Sequence, residues 1–296
     1  MKFGVCLSNY GEVSSPDIVR ETAVEAEDLG YHSVWVTDHI LMPKDSGTPY
    51  ERIYESLTSL AYLAGVTSEV KLGISSLVLA LRNPIVAAKQ LATIDCYSGG
   101  RLMLAVAAGW NETEFNYLGA PFHTRGKFVD EALEAIRLLW ENSNPVSFSG
   151  KVTGKKFSAA VFDPKPVQKK VPIWIAGNSS AAMKRAAEVG DAWHPNAYPL
   201  EVFRPMVERF KRMGSGNSKQ VCVRIALNPE IKVNEYVSPQ GERRLVLGSN
   251  MELNSDVLSA LDQMGVNYVV VAPNHNGKTS LRVQLDSLRV FAKRFL

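Results

Sequence analysis

Four short segments of this chain carry side chains that could do chemistry at one place. Asp38-His39 follows the apolar run Ser33–Val36. If that run is a strand of an alternating α/β fold, the pair sits at its carboxyl end, where such folds gather their ligands. A histidine exchanges a proton near neutral pH, so His39 is the candidate general acid or base; a structural Asp-His pair that fixes the loop is the alternative. Ser75-Ser76 lies inside the apolar stretch Lys71–Val78. Two small polar residues there mark either a bulge that lets a ligand approach the backbone or two serines lining the interior. Gly177-Asn178-Ser179-Ser180 precedes a helical pattern, Ala181–Val189. A glycine, hydroxyl donors and the free N–H groups of a helix start suit a phosphate, while an ordinary cap by Asn178 or Ser179 accounts for the same residues. Finally, Gly109 opens a loop after the apolar strand Leu102–Ala108.

The elements that would position these segments follow a rhythm. Ser15-Pro16 caps and starts a helix after a first strand, Lys2–Ser8, and Asn83-Pro84 does the same after the third. Helices are expected at Ser56–Val66, from Pro84 to about Tyr97, around Val129–Leu139, and at Ala181–Val189, Glu201–Arg212 and Val257–Met264, with a last one ending near Phe295. Strands are expected between them at Ile173–Ala176, Asp191–His194, Val221–Leu227 and Tyr268–Ala272. Eight strands alternating with eight helices predict an α/β fold, a (β/α)8 TIM barrel, as one domain over residues 1–296. The rhythm breaks near 142–170 and 228–255, read as irregular insertions, the first with one or two hairpins. An open doubly wound sheet is disfavoured, because no GxGxxG follows the first strand.

Composition narrows the function. At 296 residues, 46% hydrophobic and 21% charged, the chain is ordinary for a globular protein. A net charge of +3 without a dense Lys/Arg run gives no footprint for nucleic acid. Cys6, Cys96 and Cys222 are far apart and lack a CxxC spacing, which points to a reducing compartment. His32, His39, His123, His194 and His275 show no HxH or HExxH spacing, so no metal site is expected; His123 and His275 read as surface or loop residues. No GxSxG suggests a serine hydrolase. The N-terminus reads as a strand, and apolar runs such as Ile74–Leu81 are too short to span a bilayer, so a cytoplasmic protein without a membrane partner is expected.

Together, SVWVTDHI at 33–40, KLGISSLVLALRNPIVAAKQLATIDCYSGGRLMLAVAAGWNETEF at 71–115 and PKPVQKKVPIWIAGNSSAAMKRAAEVGDAWHP at 164–195 resemble the luciferase-like monooxygenase superfamily, in particular its branch dependent on the deazaflavin coenzyme F420. The resemblance implies a flavin-like ring lying across the carboxyl-end face, propped by a bulge at Ser75–Ser76, often with a non-proline cis peptide. It places Asp38 and His39 near the ring's reactive edge. The cofactor phosphate is placed against Gly177, Asn178, Ser179 and Ser180, with Ala108-Gly109 nearby. The expected activity is hydride transfer between F420 and a small organic substrate, with His39 as proton donor or acceptor and Trp110 as a wall of the substrate pocket. An FMN-dependent monooxygenase and a non-catalytic binding protein are the alternatives. A homodimer is also implied. The chain departs from the family's usual glycines at Ala105, Ala107 and Ala108, and at Ala192 in Gly190-Asp191-Ala192-Trp193.

Overall fold

A computed structural model describes residues 1–44, 46–238 and 241–296; Asp45, Pro239 and Gln240 lie outside the described residues. From the N-terminus, β1 (Lys2–Cys6) leads into α1 (Pro16–Asp28), where the Ser15 hydroxyl accepts the N–H of Ile18 and Pro16 occupies the first turn. β2 (Ser33–Val36) is followed by α2 (Ser56–Val66), and β3 (Lys71–Val78) by α3 (Pro84–Tyr97). After β4 (Leu102–Ala107) come a short α4 (Glu112–Tyr117) and the long α5 (Arg125–Glu141). β5 (Val146–Ser149) and β6 (Lys156–Ala160) form a separate antiparallel hairpin, one of those expected in the first insertion. The alternation resumes with β7 (Ile173–Ala176), α6 (Ser180–Val189), β8 (Ala192–His194), α7 (Leu200–Lys211) and β9 (Gln220–Leu227). It ends with β10 (Glu235–Val237), β11 (Arg243–Leu247), α8 (Met251–Gln263), β12 (Val266–Ala272) and α9 (Leu281–Phe295).

β1, β2, β3, β4, β7, β8, β9 and β12 each pair in parallel with the next, and β12 returns to β1. The ring is closed, and the fold is the (β/α)8 barrel that the alternation predicts. The second insertion is more ordered than its composition suggests. β11 runs parallel to the last residues of β9, with Val246 opposite Ala226 and Leu247 opposite Leu227, and β10 folds back on β11. α8 starts at Met251, well before Val257, because the Asn250 side chain accepts the N–H groups of Glu252 and Leu253. No helix among the described residues is long and apolar enough to cross a membrane.

Strand alternation divides the buried side chains into two regions. Val34, Val36, Leu72, Ile74, Leu104 and Ile173 pack with the helices outside the barrel, whereas Cys6, Trp35, Met103, Trp174, Cys222 and Tyr268 fill the interior. Trp35 dominates that interior. It stacks on Trp174 at 4.7 Å between centroids, and its Nε1 donates to the Ser33 hydroxyl. Gly73 stands directly opposite Trp35 in the β2–β3 register, and a Cβ there would fall within the indole ring. The floor below the ligand face is therefore a solid aromatic plug. Gly73→Ala is expected to destabilise the protein by about 1–3 kcal/mol through overpacking. Urea unfolding checks this, and an unchanged midpoint would mean that Trp35 has room to move.

Candidate active site

The carboxyl ends of β2, β3, β4, β7, β8, β9 and β12 converge on one cavity of about 850 Å³, large enough for a cofactor and within the usual size of ligand sites. Asp38, His39, Ser75, Ser76, Ala108, Gly109, Trp110, Gly177, Asn178 and Ser179 all line it. Ser180, the first residue of α6, is exposed and is not part of the lining.

His39 is buried, and its ring is gripped on several sides. Nδ1 lies 2.7 Å from Glu114 Oε2, the ring stacks on Tyr50 at 4.8 Å, and Trp110 meets it edge-on at 6.0 Å. Glu114 is 1% exposed and also accepts the N–H groups of Ile40 (2.7 Å) and Leu41 (3.4 Å). Burial alone would raise the Glu114 pKa. The hydrogen bond and charge of His39, with the two backbone donors, outweigh that and hold it below the ordinary carboxylate value. An ionised Glu114 requires Nδ1 to carry its proton, which leaves Nε2 as the atom that gains or loses one. Among the described residues, Nε2 makes no hydrogen bond. The sequence reading does not single out Glu114. A signal exists, since Asn111-Glu112-Thr113-Glu114 has the spacing of a helix cap, and the Asn111 side chain does accept the Glu114 N–H.

Asp38 is used differently from its neighbour. Its carboxylate takes Ser56 Oγ at 2.7 Å, the Val78 N–H at 2.9 Å and Arg82 Nη2 at 2.5 Å, and the side chain has no exposed surface. Both oxygens are thus satisfied by the protein itself.

Ser75 and Ser76 form the bulge that the sequence suggests. Ser75 pairs with Ala105 and Leu77 with Val106, so Ser76 is the extra residue, and the Ser75–Ser76 peptide is cis. Two side chains hold the bulge from below. The Ser75 hydroxyl lies 2.8 Å from His194 Nε2, and the Ser75 carbonyl accepts Arg224 Nη1 at 2.8 Å. His194 Nδ1 donates to the Cys222 carbonyl at 2.5 Å, which makes Nε2 the acceptor of the serine proton. Burial, opposed by the Cys222 bond and reinforced by Arg224, pushes the His194 pKa down to about 4.

The other end of the cavity is rich in donors. Ser179 Oγ caps α6 by accepting the Ala182 N–H, while the N–H groups of Ser180 and Ala181 have no protein acceptor among the described residues. Asn178 exchanges two hydrogen bonds with the backbone of Asn196, locking the β7 and β8 loops together. Gly177 has φ of 122°, a conformation side chains rarely adopt, and a Cβ there would meet only Ala182. Arg125 and Arg185 line the same end; Arg185 pairs with Asp130, whereas Arg125 donates to the carbonyls of Gly109 and Phe122. Free N–H groups, a helix start and two guanidinium groups fit a phosphate. His123 is 86% exposed and His275 lies in the loop after β12, as the sequence suggests; His275 also lines the cavity.

The sequence matches the luciferase-like monooxygenase family over residues 1–231, and the chain belongs to that family. It is 29% identical over 221 residues to the FMNH(2)-dependent dimethylsulfone monooxygenase of Pseudomonas putida, covering 72% of this chain and 56% of that one. It is 35% identical over 190 residues to the F420-dependent glucose-6-phosphate dehydrogenase of Kineococcus radiotolerans, covering 62% and 53% respectively. The matches therefore span little more than half the length of those relatives. The fold is shared with an F420-dependent secondary alcohol dehydrogenase solved with an F420-acetone adduct, at a TM-score of 0.79 and 19% identity, covering 99% of this chain and 98% of that one.

The neutral, buried His194 has a consequence for stability. Below about pH 6.5 the unfolded chain binds a proton at this residue that the folded protein refuses until about pH 4, so stability falls as the pH drops through that window. His275, whose pKa burial and Arg224 also push to about 4, acts in the same direction. Each adds a slope of up to about 1.4 kcal/mol per pH unit. Urea unfolding between pH 7 and 4.5 measures it, and His194→Asn is expected to flatten the slope by one proton's share.

Proposed function

We propose that this protein is an oxidoreductase that transfers hydride between coenzyme F420 and a small organic substrate. The observation that carries the reading is the His39–Glu114 pair beside the Ser75–Ser76 bulge, which leaves one titratable nitrogen free at the cavity. A bound deazaflavin supplies the hydride-carrying carbon. The chain's own groups do the rest. The bulge would support the ring, and the barrel walls would keep water from the reacting face. His39 Nε2 gives or takes the proton that accompanies hydride transfer, and Glu114 fixes the tautomer and orientation that this requires. Ser179, Gly177, the first turn of α6 and Arg125 are the groups that would hold the cofactor phosphate. Trp110, edge-on to His39 and 47% exposed, forms a wall of the substrate space.

An FMN-dependent monooxygenase is the second reading, and the resemblance to the dimethylsulfone enzyme favours it. Fluorescence titration of the purified protein with F420 and with FMN separates the two. Tighter binding of F420 is expected; micromolar binding of FMN with no detectable F420 binding would reverse the assignment. The working unit is read as a homodimer, which sedimentation velocity checks.

Ser179→Asp tests the phosphate end cleanly, because aspartate caps a helix as well as serine does while adding a negative charge. Cofactor binding is expected to weaken by about 1–2 kcal/mol, a figure discounted for the exposure of this position. Unchanged affinity removes the phosphate from α6. His39→Asn tests the chemistry: the single-turnover hydride-transfer rate is expected to fall about 10²–10⁴-fold while cofactor affinity stays within a few-fold. An unchanged rate with intact binding makes His39 structural.

A further inference from the structure

Arg224, on β9, is a cation deep in the barrel that donates only to neutral groups. Nη1 donates to the Ser75 carbonyl at 2.8 Å and to Thr37 Oγ1 at 3.3 Å, and Nη2 donates to the Tyr10 hydroxyl at 3.2 Å. Of its five N–H donors, one on Nη2 and the one on Nε have no partner among the described residues. Of the other arginines lining the cavity, Arg185 pairs with Asp130 and Arg244 with Glu242, whereas Arg125, at the α6 end, donates to the carbonyls of Gly109 and Phe122. A guanidinium stays charged at every ordinary pH, so a half-buried one without a carboxylate, lining a cavity, suits a negative charge from outside.

A second observation falls at the same place. His275 lines the cavity, and its Nδ1 is buried with no hydrogen-bond partner. Burial, with Arg224 adding its charge, depresses the His275 pKa to about 4 and keeps the ring neutral, able to donate one hydrogen bond. Glu242, the carboxylate lining that side, is committed to Arg244 and to the Tyr198 hydroxyl.

We propose that Arg224 and His275 form a subsite for the anionic head group of the substrate, a small organic carboxylate or sulfonate. The two unpartnered N–H donors of Arg224 are available to an acid group, and His275 is available to one further oxygen. Through Thr37, Arg224 is tied to the end of β2, two residues before His39, and through Ser75 it is tied to the bulge. An anion held there lies beside the proton-exchanging group, so its attached carbon chain is presented to the reacting position. This assignment rests on the cofactor reading above for the word substrate, but not for the anion site itself.

The test is calorimetric titration of the protein with methanesulfonate and acetate, and with the uncharged dimethyl sulfone and acetone, both before and after loading with the cofactor it accepts. Methanesulfonate is expected to bind both forms, with dimethyl sulfone at least about 10-fold weaker. Arg224→Met is expected to weaken the anion about 10–100-fold. His275→Phe, which removes no charge and serves if the arginine variant does not fold, is expected to weaken it about 3–10-fold. Absence of anion binding, or binding that survives Arg224→Met or His275→Phe and is lost in Arg125→Met, overturns the proposal. Expulsion of the anion by bound cofactor also overturns it and assigns Arg224 to the cofactor. Anion binding through Arg224 in a protein that takes neither F420 nor FMN upholds the subsite and refutes the cofactor reading instead.

Discussion

A carboxylate shut away from water must be satisfied by protein donors, and at Asp38 that requirement organises the ligand face. Its three partners come from three elements: Ser56 at the start of α2, Val78 at the end of β3, and Arg82 beyond it. Arg82 also binds Glu55 at 2.9 Å, so the charge on each side of the pair is answered. In a low-dielectric surround, removing either partner strands the other, which is why such clusters hold their geometry more firmly than exposed ion pairs do. The next residue in the chain is His39. Its backbone leaves a fixed point on Asp38, and its ring meets a second fixed point on Glu114. The tolerance on the free imidazole nitrogen is set by these two buried carboxylates together.

Much of this arrangement is legible in the sequence because it depends on local rules. Ser15-Pro16 and Asn83-Pro84 announce helix starts, and two serines in an apolar strand announce a bulge. Other parts are not legible, for a common reason. In the run VCVRIAL the alternation tells which face of β9 Arg224 occupies, but only closure of the ring reveals that this face meets the Ser75 carbonyl. Glu114 lies far from His39 in sequence, and nothing local marks their meeting. His275 reads as an ordinary loop residue, and its place in the cavity follows from how β12 ends beside β1 and β9. The second insertion looks irregular because β10 and β11 are short and rich in charge, although Arg243, Arg244, Glu235 and Glu242 pair with one another across and along the hairpin.

The cavity is electrostatically two-sided. At the α6 end, positive potential comes from open N–H groups and from Arg125, next to solvent, where water still moderates charge. At the β9 end the cation is half-buried, and neutral His194 and His275 add no charge to it. A ligand with two acidic ends separated by a ring system would experience weak, screened attraction at one and strong, orientation-dependent attraction at the other.

The hairpin of β10 and β11 joins the sheet only at the last residues of β9, outside the closed ring of eight strands. It contributes Tyr236, Glu242 and Arg244 to the cavity wall, yet no barrel strand depends on it for a hydrogen-bonded neighbour that closes the ring. Ring closure and this part of the cavity wall are therefore supplied by different stretches of the chain. Within the hairpin, Leu245 and Leu247 are buried in the core, whereas Tyr236, Glu242 and Arg244 face the cavity. Divergence confined to those cavity-facing positions is a route by which the wall of the cavity could change while the closed ring beneath it is inherited intact.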